Sequence, residues 1–170
     1  MKEIKVGIIG AGGIACSVHI PNYQKIENVR VIAVADIKAE VAENAAEQFN
    51  ISNVFTDWEH LLKIDEIEAV SVCTPNAFHA EPSIAAMKAN CHVLCEKPMA
   101  RSSEECREIM VACERAGVHL EVCFVLRGWP VYHQVKAAVD SGRLGQVVEL
   151  RAHLTKWTPR EEGEWRLDPQ

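Results

Sequence analysis

A chain of 170 residues has room for one domain with a substantial core and the start of a second, since domains typically run roughly 100 to 150 residues. With 48% apolar and 25% charged residues, the composition is that of a soluble globular protein; its uninterrupted apolar runs fall far short of the roughly 18 to 20 residues a membrane span requires. The net charge is −6, with no basic run to track a phosphate backbone, which argues against nucleic acid as a partner.

Met1, Lys2 and Glu3 lead straight into the apolar stretch 4–9, leaving no space for a charged n-region, an h-region and a cleavage site, so a cytoplasmic location is expected. From there short apolar runs alternate with amphipathic segments of helical length. Strands are expected at 4–9, 29–36, 54–55, 69–74, 92–95 and 120–125, and helices at 13–23 (bent at Pro21), 39–49, 58–62, 78–89 and 103–116. The last helix has the clearest ends: Ser102 and Glu105 form a capping box, and Gly117 supplies a left-handed stop. This β then α rhythm is the mark of a doubly wound α/β parallel sheet covered on both faces.

After residue 125 the pattern changes. Pro130 opens a helix to about Ser141, Gly142 and Gly145 turn the chain, and Val148, Leu150, Ala152 and Leu154 alternate with Glu149, Arg151, His153 and Thr155 as in a strand with one wet face. Two domains are therefore expected, 1–126 and 127–170, the second holding only the first helix and strand of an incomplete α/β unit. The strand 147–157 is an unpaired edge, and a homo-oligomer formed through it is expected. Residues 158–170, with two prolines and six charges, read as loop.

The seven cysteines sit inside periodic apolar segments, and none forms a Cys-x-x-Cys pair with a matching His or Cys pair. They read as buried free thiols, with no metal expected.

The first βα junction carries Gly10, Ala11, Gly12, Gly13, Ile14 and Ala15, in which Gly10, Gly12 and Ala15 match G-x-G-x-x-G/A directly after a strand and before a helix. Gly10 permits the tight turn, Gly12 lets backbone approach a pyrophosphate, and Ala15 keeps the helix close to the sheet. Alone, such glycines also suit a plain turn. The second strand, however, ends in Asp36, 21 residues beyond Ala15, where the fingerprint expects an acid for the adenosine ribose. Asp36 with the adjacent Ile37 thus favours NAD over NADP, because a carboxylate repels a 2′-phosphate; Lys38 softens that repulsion.

Three further motifs follow at strand ends: Thr74-Pro75-Asn76-Ala77-Phe78-His79, Glu96-Lys97-Pro98 and Arg127-Gly128-Trp129-Pro130. In order and spacing they resemble the TP-x-x-x-H, EKP and R-x-x-P signatures of the glucose-fructose oxidoreductase / inositol dehydrogenase / rhizopine-catabolism (Gfo/Idh/MocA) family, over essentially the whole chain. The resemblance implies a Rossmann fold and an NAD-dependent oxidoreductase acting on a hydroxyl of a sugar, inositol or related polyol. It also implies that Thr74, Pro75, Asn76, His79 and Arg127 border the cofactor and that Glu96 lies beside the nicotinamide half. Lys97 becomes the expected catalytic group, its ammonium stabilising a developing alkoxide; a cis Lys97–Pro98 bond is implied as well. The alternatives are an exposed turn lysine at 97 and, for His79, a cap on the following helix. The other six histidines read as structural or solvated.

Members of this family continue past a Trp-Arg segment like Trp165-Arg166 into an Asp-x-Gly-x-His motif that supplies the acid/base histidine. That motif is absent here, so the expectation is a dinucleotide-binding piece that is catalytically incomplete; loss of such a group costs roughly 10²- to 10⁴-fold in rate. A non-catalytic NAD-binding or interaction module is the competing reading, and a methyltransferase-like Rossmann domain a weaker one against which the EKP motif argues.

Overall fold

The computed structural model describes residues 2–153 and 155. They form two compact units that part between Cys123 and Phe124, three residues before the boundary expected from sequence.

In the first unit the elements run β1 (Ile4–Ile9), a π-helical turn (Ala15–His19) continuing into α1 (Ile20–Tyr23), β2 (Val29–Ala35), α2 (Ala39–Phe49), β3 (Asn53–Phe55), α3 (Trp58–Leu61) and β4 (Ala69–Val72). A 3-10 turn (Asn76–Phe78), α4 (Ala80–Lys88), β5 (His92–Cys95), α5 (Ser103–Ala116) and β6 (Leu120–Val122) complete it. All strand pairs are parallel, in the order β3-β2-β1-β4-β5-β6. This is a doubly wound Rossmann sheet, whose winding reverses between β1 and β4.

The central strands read as continuous apolar runs because both of their faces are covered. Along β1, Val6 and Ile8 pack with Ala15, Ile20, Ala45 and Ala46 on one face, while Ile9 joins Leu61, Met87, Val93 and Ile109 on the other. Burying each of the larger aliphatic side chains stabilises the fold by about 1.5–3 kcal/mol. Register slips by one between β1 and β2, where Val6 pairs Val31 but Gly7 pairs Ala33. The Ile32 carbonyl is taken by the Asn53 side-chain amide at 2.8 Å, so the bulge leaves this acceptor satisfied.

The ends of α5 match their sequence signals. Ser102 accepts from the Glu105 N–H, the Glu105 carboxylate reaches back to the Arg101 N–H at 2.9 Å, and Gly117 closes the helix at φ +65°. The first helix differs from the regular bent one expected at 13–23. A proline ring at 21 has no N–H to donate and crowds the carbonyl four residues back, and the turn ahead of it is widened to π geometry, with the Ile20 N–H reaching Ala15 O. The Ser17 hydroxyl donates to the Gly13 carbonyl at 2.6 Å.

In the second unit a 3-10 turn (Val125–Gly128) precedes α6 (Pro130–Asp140). The strand expected at 120–125 therefore stops at Val122, and Val125 belongs to that turn. The strand expected at 147–157 is also corrected: residues 147–153 form none, and Val148 is 91% exposed. Alternation shows that a segment suits a sheet, but a strand exists only when a neighbour takes its N–H and C=O groups, and no described residue does so. Leu154, residues 156–157 and the expected loop 158–170 lie outside the described residues. No helix among the described residues is long and apolar enough to cross a membrane.

Candidate dinucleotide site

The carboxyl ends of β1, β2, β4 and β5 carry the sequence-predicted groups other than Arg127, and strand order reverses between β1 and β4. Gly10 leaves β1 at φ +88°, and its N–H donates to Ala35 O at 2.8 Å. A Cβ there would lie 2.7 Å from the Cys73 carbonyl carbon and 2.7 Å from the Thr74 nitrogen, so the glycine is required by close backbone approach as well as by the turn. Gly12 and Gly13 have nothing within 4 Å of an added Cβ. Ile14 is exposed, whereas Ala15 is fully buried against the sheet, as expected for the residue that holds the helix close.

Asp36 stands just past β2 and already organises the loop it was expected to complement. Its Oδ2 accepts from the Ala11 N–H at 2.9 Å and its Oδ1 from the Lys38 N–H at 3.0 Å, while Ile37 is exposed. The acid and the glycine loop are thus one hydrogen-bonded unit, although 25 residues separate Asp36 from Ala11.

Beyond β4, Thr74 Oγ1 donates to Phe78 O at 2.9 Å, which closes the turn that holds Pro75 and Asn76. His79 does not cap α4, for its side chain makes no capping bond. Instead the ring is 1% exposed, with Nδ1 2.6 Å from Pro98 O and Nε2 2.8 Å from Thr74 O. It ties the loop after β4 to the loop after β5, leaving neither ring nitrogen for a ligand.

The Lys97–Pro98 bond is cis. Lys97 is exposed, and its ammonium forms no ion pair among the described residues. Glu96 is 9% exposed; its Oε2 accepts from the Lys97 N–H at 3.2 Å and its Oε1 lies 3.1 Å from His19 Nε2. His19 is 6% exposed, and this buried pairing gave no sequence signal because 77 residues separate the two. Arg127, in the second unit, stacks its guanidinium 4.9 Å from the Phe124 ring centroid.

Four thiols lie around these strand ends. Burial, and secondarily the Glu96 carboxylate, pushes Cys123 up to about 12; burial pushes Cys95 up to about 11 against an opposing Ser83 hydrogen bond, and Cys73 rises too. Burial, then Asp36, raises Cys16. Raised folded-state values mean these thiols add stability in full below the ordinary value of 9.0, and that stability is lost as pH climbs toward about 11 to 12. The guanidinium unfolding midpoint is expected to fall steadily above about pH 9 while holding level from neutrality to that point. A midpoint that stays flat into the alkaline range contradicts the burial of these groups.

A doubly wound parallel sheet with a glycine loop tethered to an acidic strand end defines a dinucleotide-binding domain of the Rossmann class. Comparison with known proteins makes this specific. Residues 4–124 match the family described as "Oxidoreductase family, NAD-binding Rossmann fold", and the chain belongs to that Gfo/Idh/MocA family.

It is 35% identical over 155 residues to D-glucoside 3-dehydrogenase of Escherichia coli, covering 91% of this chain and 44% of that protein. It is 33% identical over 163 residues to D-xylose 1-dehydrogenase (NADP(+)) 2 of Haloferax volcanii, covering 96% of this chain and 50% of the relative. Among solved structures, scyllo-inositol dehydrogenase from Lactobacillus casei, with bound NAD(H) and scyllo-inositol, superimposes with a TM-score of 0.77 at 26% identity, covering 85% of this chain and 43% of that one. The chain spans half or less of the length of these relatives.

Proposed function

We propose that this chain binds NAD across the carboxyl ends of β1, β2 and β4, and that it is the coenzyme half of an oxidoreductase acting on a hydroxyl of a sugar, inositol or related polyol. The observation that carries the reading is the Ala11 N–H to Asp36 bond, which fixes the acid beside the glycine loop. In this reading Gly12, Gly13 and Ile14 offer backbone N–H groups to the pyrophosphate, and Asp36 and Ile37 border the adenosine ribose. Thr74, Pro75 and Asn76 flank the coenzyme. His79 serves by holding the Thr74 and Pro98 backbones together, and Glu96 fixes the backbone of Lys97.

Bound NAD supplies the hydride acceptor. Lys97 brings a point charge to the substrate oxygen, favouring its deprotonation and holding the alkoxide.

Calorimetric titration tests the coenzyme assignment. NAD is expected to bind, with NADP weaker by about tenfold or more, because Asp36 repels a 2′-phosphate. Asp36→Ala is expected to weaken NAD and to narrow the gap between the two coenzymes. Comparable NAD and NADP affinities in the unsubstituted chain reject the ribose assignment.

A second reading, a non-catalytic NAD-binding or interaction module, draws support from the exposed apolar side chains of Val131, Val135, Val148 and Leu150. It calls for coenzyme binding without turnover and for association through the segment 147–157, either with a second copy or with a further stretch of sheet. Light scattering that finds a stable monomer at tens of micromolar rules out the self-association.

A further inference from the structure

Three donor atoms meet inside the first unit at the ends of separate elements: His19 Nε2, Glu96 Oε1 and Cys123 Sγ, all within 4.8 Å of one another. We propose that His19, Glu96 and Cys123 form a binding site for a divalent transition metal of the zinc type, with one coordination position left for water or an outside ligand. The coenzyme reading is not needed for this. It rests on how the three side chains are held and on what kinds of donor they are.

The geometry lies close to a coordination shell. With metal–ligand bonds of about 2.0–2.3 Å, two ligands on a tetrahedral ion stand roughly 3.3–3.7 Å apart. The His19 nitrogen and the Glu96 oxygen are already 3.1 Å apart, and closure requires the thiol to approach by about 1 Å at most, within the reach of a χ1 adjustment.

The backbones are pinned. Glu96 extends the sheet by donating its N–H to Val72 O at 2.9 Å, and Cys123 does the same to Cys95 O at 2.8 Å. His19 sits at the end of the π turn, ahead of the Ile20 N–H that bonds Ala15 O. The outer contact characteristic of ligating carboxylates is in place as well, since Glu96 Oε2 accepts from the Lys97 N–H and leaves Oε1 turned toward His19.

The donor set selects the ion class. One imidazole, one carboxylate and one thiolate suit zinc and its neighbours, whereas magnesium and calcium require oxygen shells that this pocket lacks. On binding, the metal takes the thiolate sulfur and the thiol proton passes to solvent; nothing is oxidised or reduced. Three protein ligands leave a fourth position open, as in zinc sites that hold an exchangeable water.

The experiment is cobalt titration of the whole chain after dialysis against a chelator, followed by displacement with zinc. The expected result is one equivalent of cobalt giving a thiolate charge-transfer band that zinc abolishes. Cys123→Ser, which swaps a single atom, is expected to remove the band and, with His19→Ala and Glu96→Gln, to weaken cobalt binding by about tenfold or more. Cys113→Ser, on α5, is expected to keep both, and an unchanged far-UV circular dichroism spectrum and cooperative melting in Cys123→Ser show that this variant folds. The proposal is overturned by the absence of a thiolate band, or by a band that survives Cys123→Ser, either of which leaves the three side chains as a hydrogen-bonded polar cluster.

Discussion

Gly10→Ala is expected to destabilise the domain by about 3–5 kcal/mol, a large fraction of the roughly 5–15 kcal/mol that holds a domain folded. Two costs add. An L side chain at φ +88° is strained by about 1–3 kcal/mol, and its Cβ would stand 2.7 Å from backbone atoms of Cys73 and Thr74. Neither side is free to give way, because Gly10 donates to Ala35 O and Cys73 donates to Ile9 O at 2.8 and 2.7 Å. Relief therefore means opening the ladder at the centre of the sheet. A fall in Tm of roughly 10 °C or more by scanning calorimetry is the measurable result.

Gly12→Ala provides the contrast. Nothing lies within 4 Å of an added Cβ there, so its stability is expected to stay within about 0.5 kcal/mol of the parent. Its affinity for NAD is nonetheless expected to fall by about tenfold or more, because the new methyl occupies the approach of the pyrophosphate. Equal stability of the Gly10 variant and the parent, or an unchanged NAD affinity in the Gly12 variant, refutes the respective role.

His79→Ala is expected to cost about 3 kcal/mol and to loosen the loops after β4 and β5 together. The ring is buried with a nitrogen at hydrogen-bond distance from each of two carbonyls, Pro98 O and Thr74 O. Its removal takes the donor away from the carbonyl it serves and leaves a cavity the size of an imidazole. Chemical denaturation gives the energy, and faster amide exchange at Glu96, Lys97 and Met99 reports the loosened loop. His79→Gln, which retains one amide donor, is expected to recover part of the loss. If His79→Ala melts like the parent, the ring does not clamp the two loops.

The elements themselves were largely legible in the sequence, because periodicity and end signals are local. The bounds of β1, α2, β5 and α5 follow from apolar runs and helical spacing and, for α5, from the Ser102 and Gly117 caps. The π turn was not legible: Pro21 announces a disturbance, but whether the helix bends or widens depends on what it packs against. The segment 147–153 failed for a related reason, since its alternation states a preference that only a partner strand satisfies.

By itself, then, the sequence determined the doubly wound sheet, the glycine loop and the acid at the end of β2, because each is written within a few residues or at a spacing set by one βαβ unit. Only the tertiary structure decided what the side chains do there: that Asp36 holds the Ala11 amide, that His79 bridges two loops, and that His19 meets Glu96 and Cys123. Those contacts join residues far apart in the chain. Which distant side chains face each other depends on how the strands register and twist, and no local pattern carries that information.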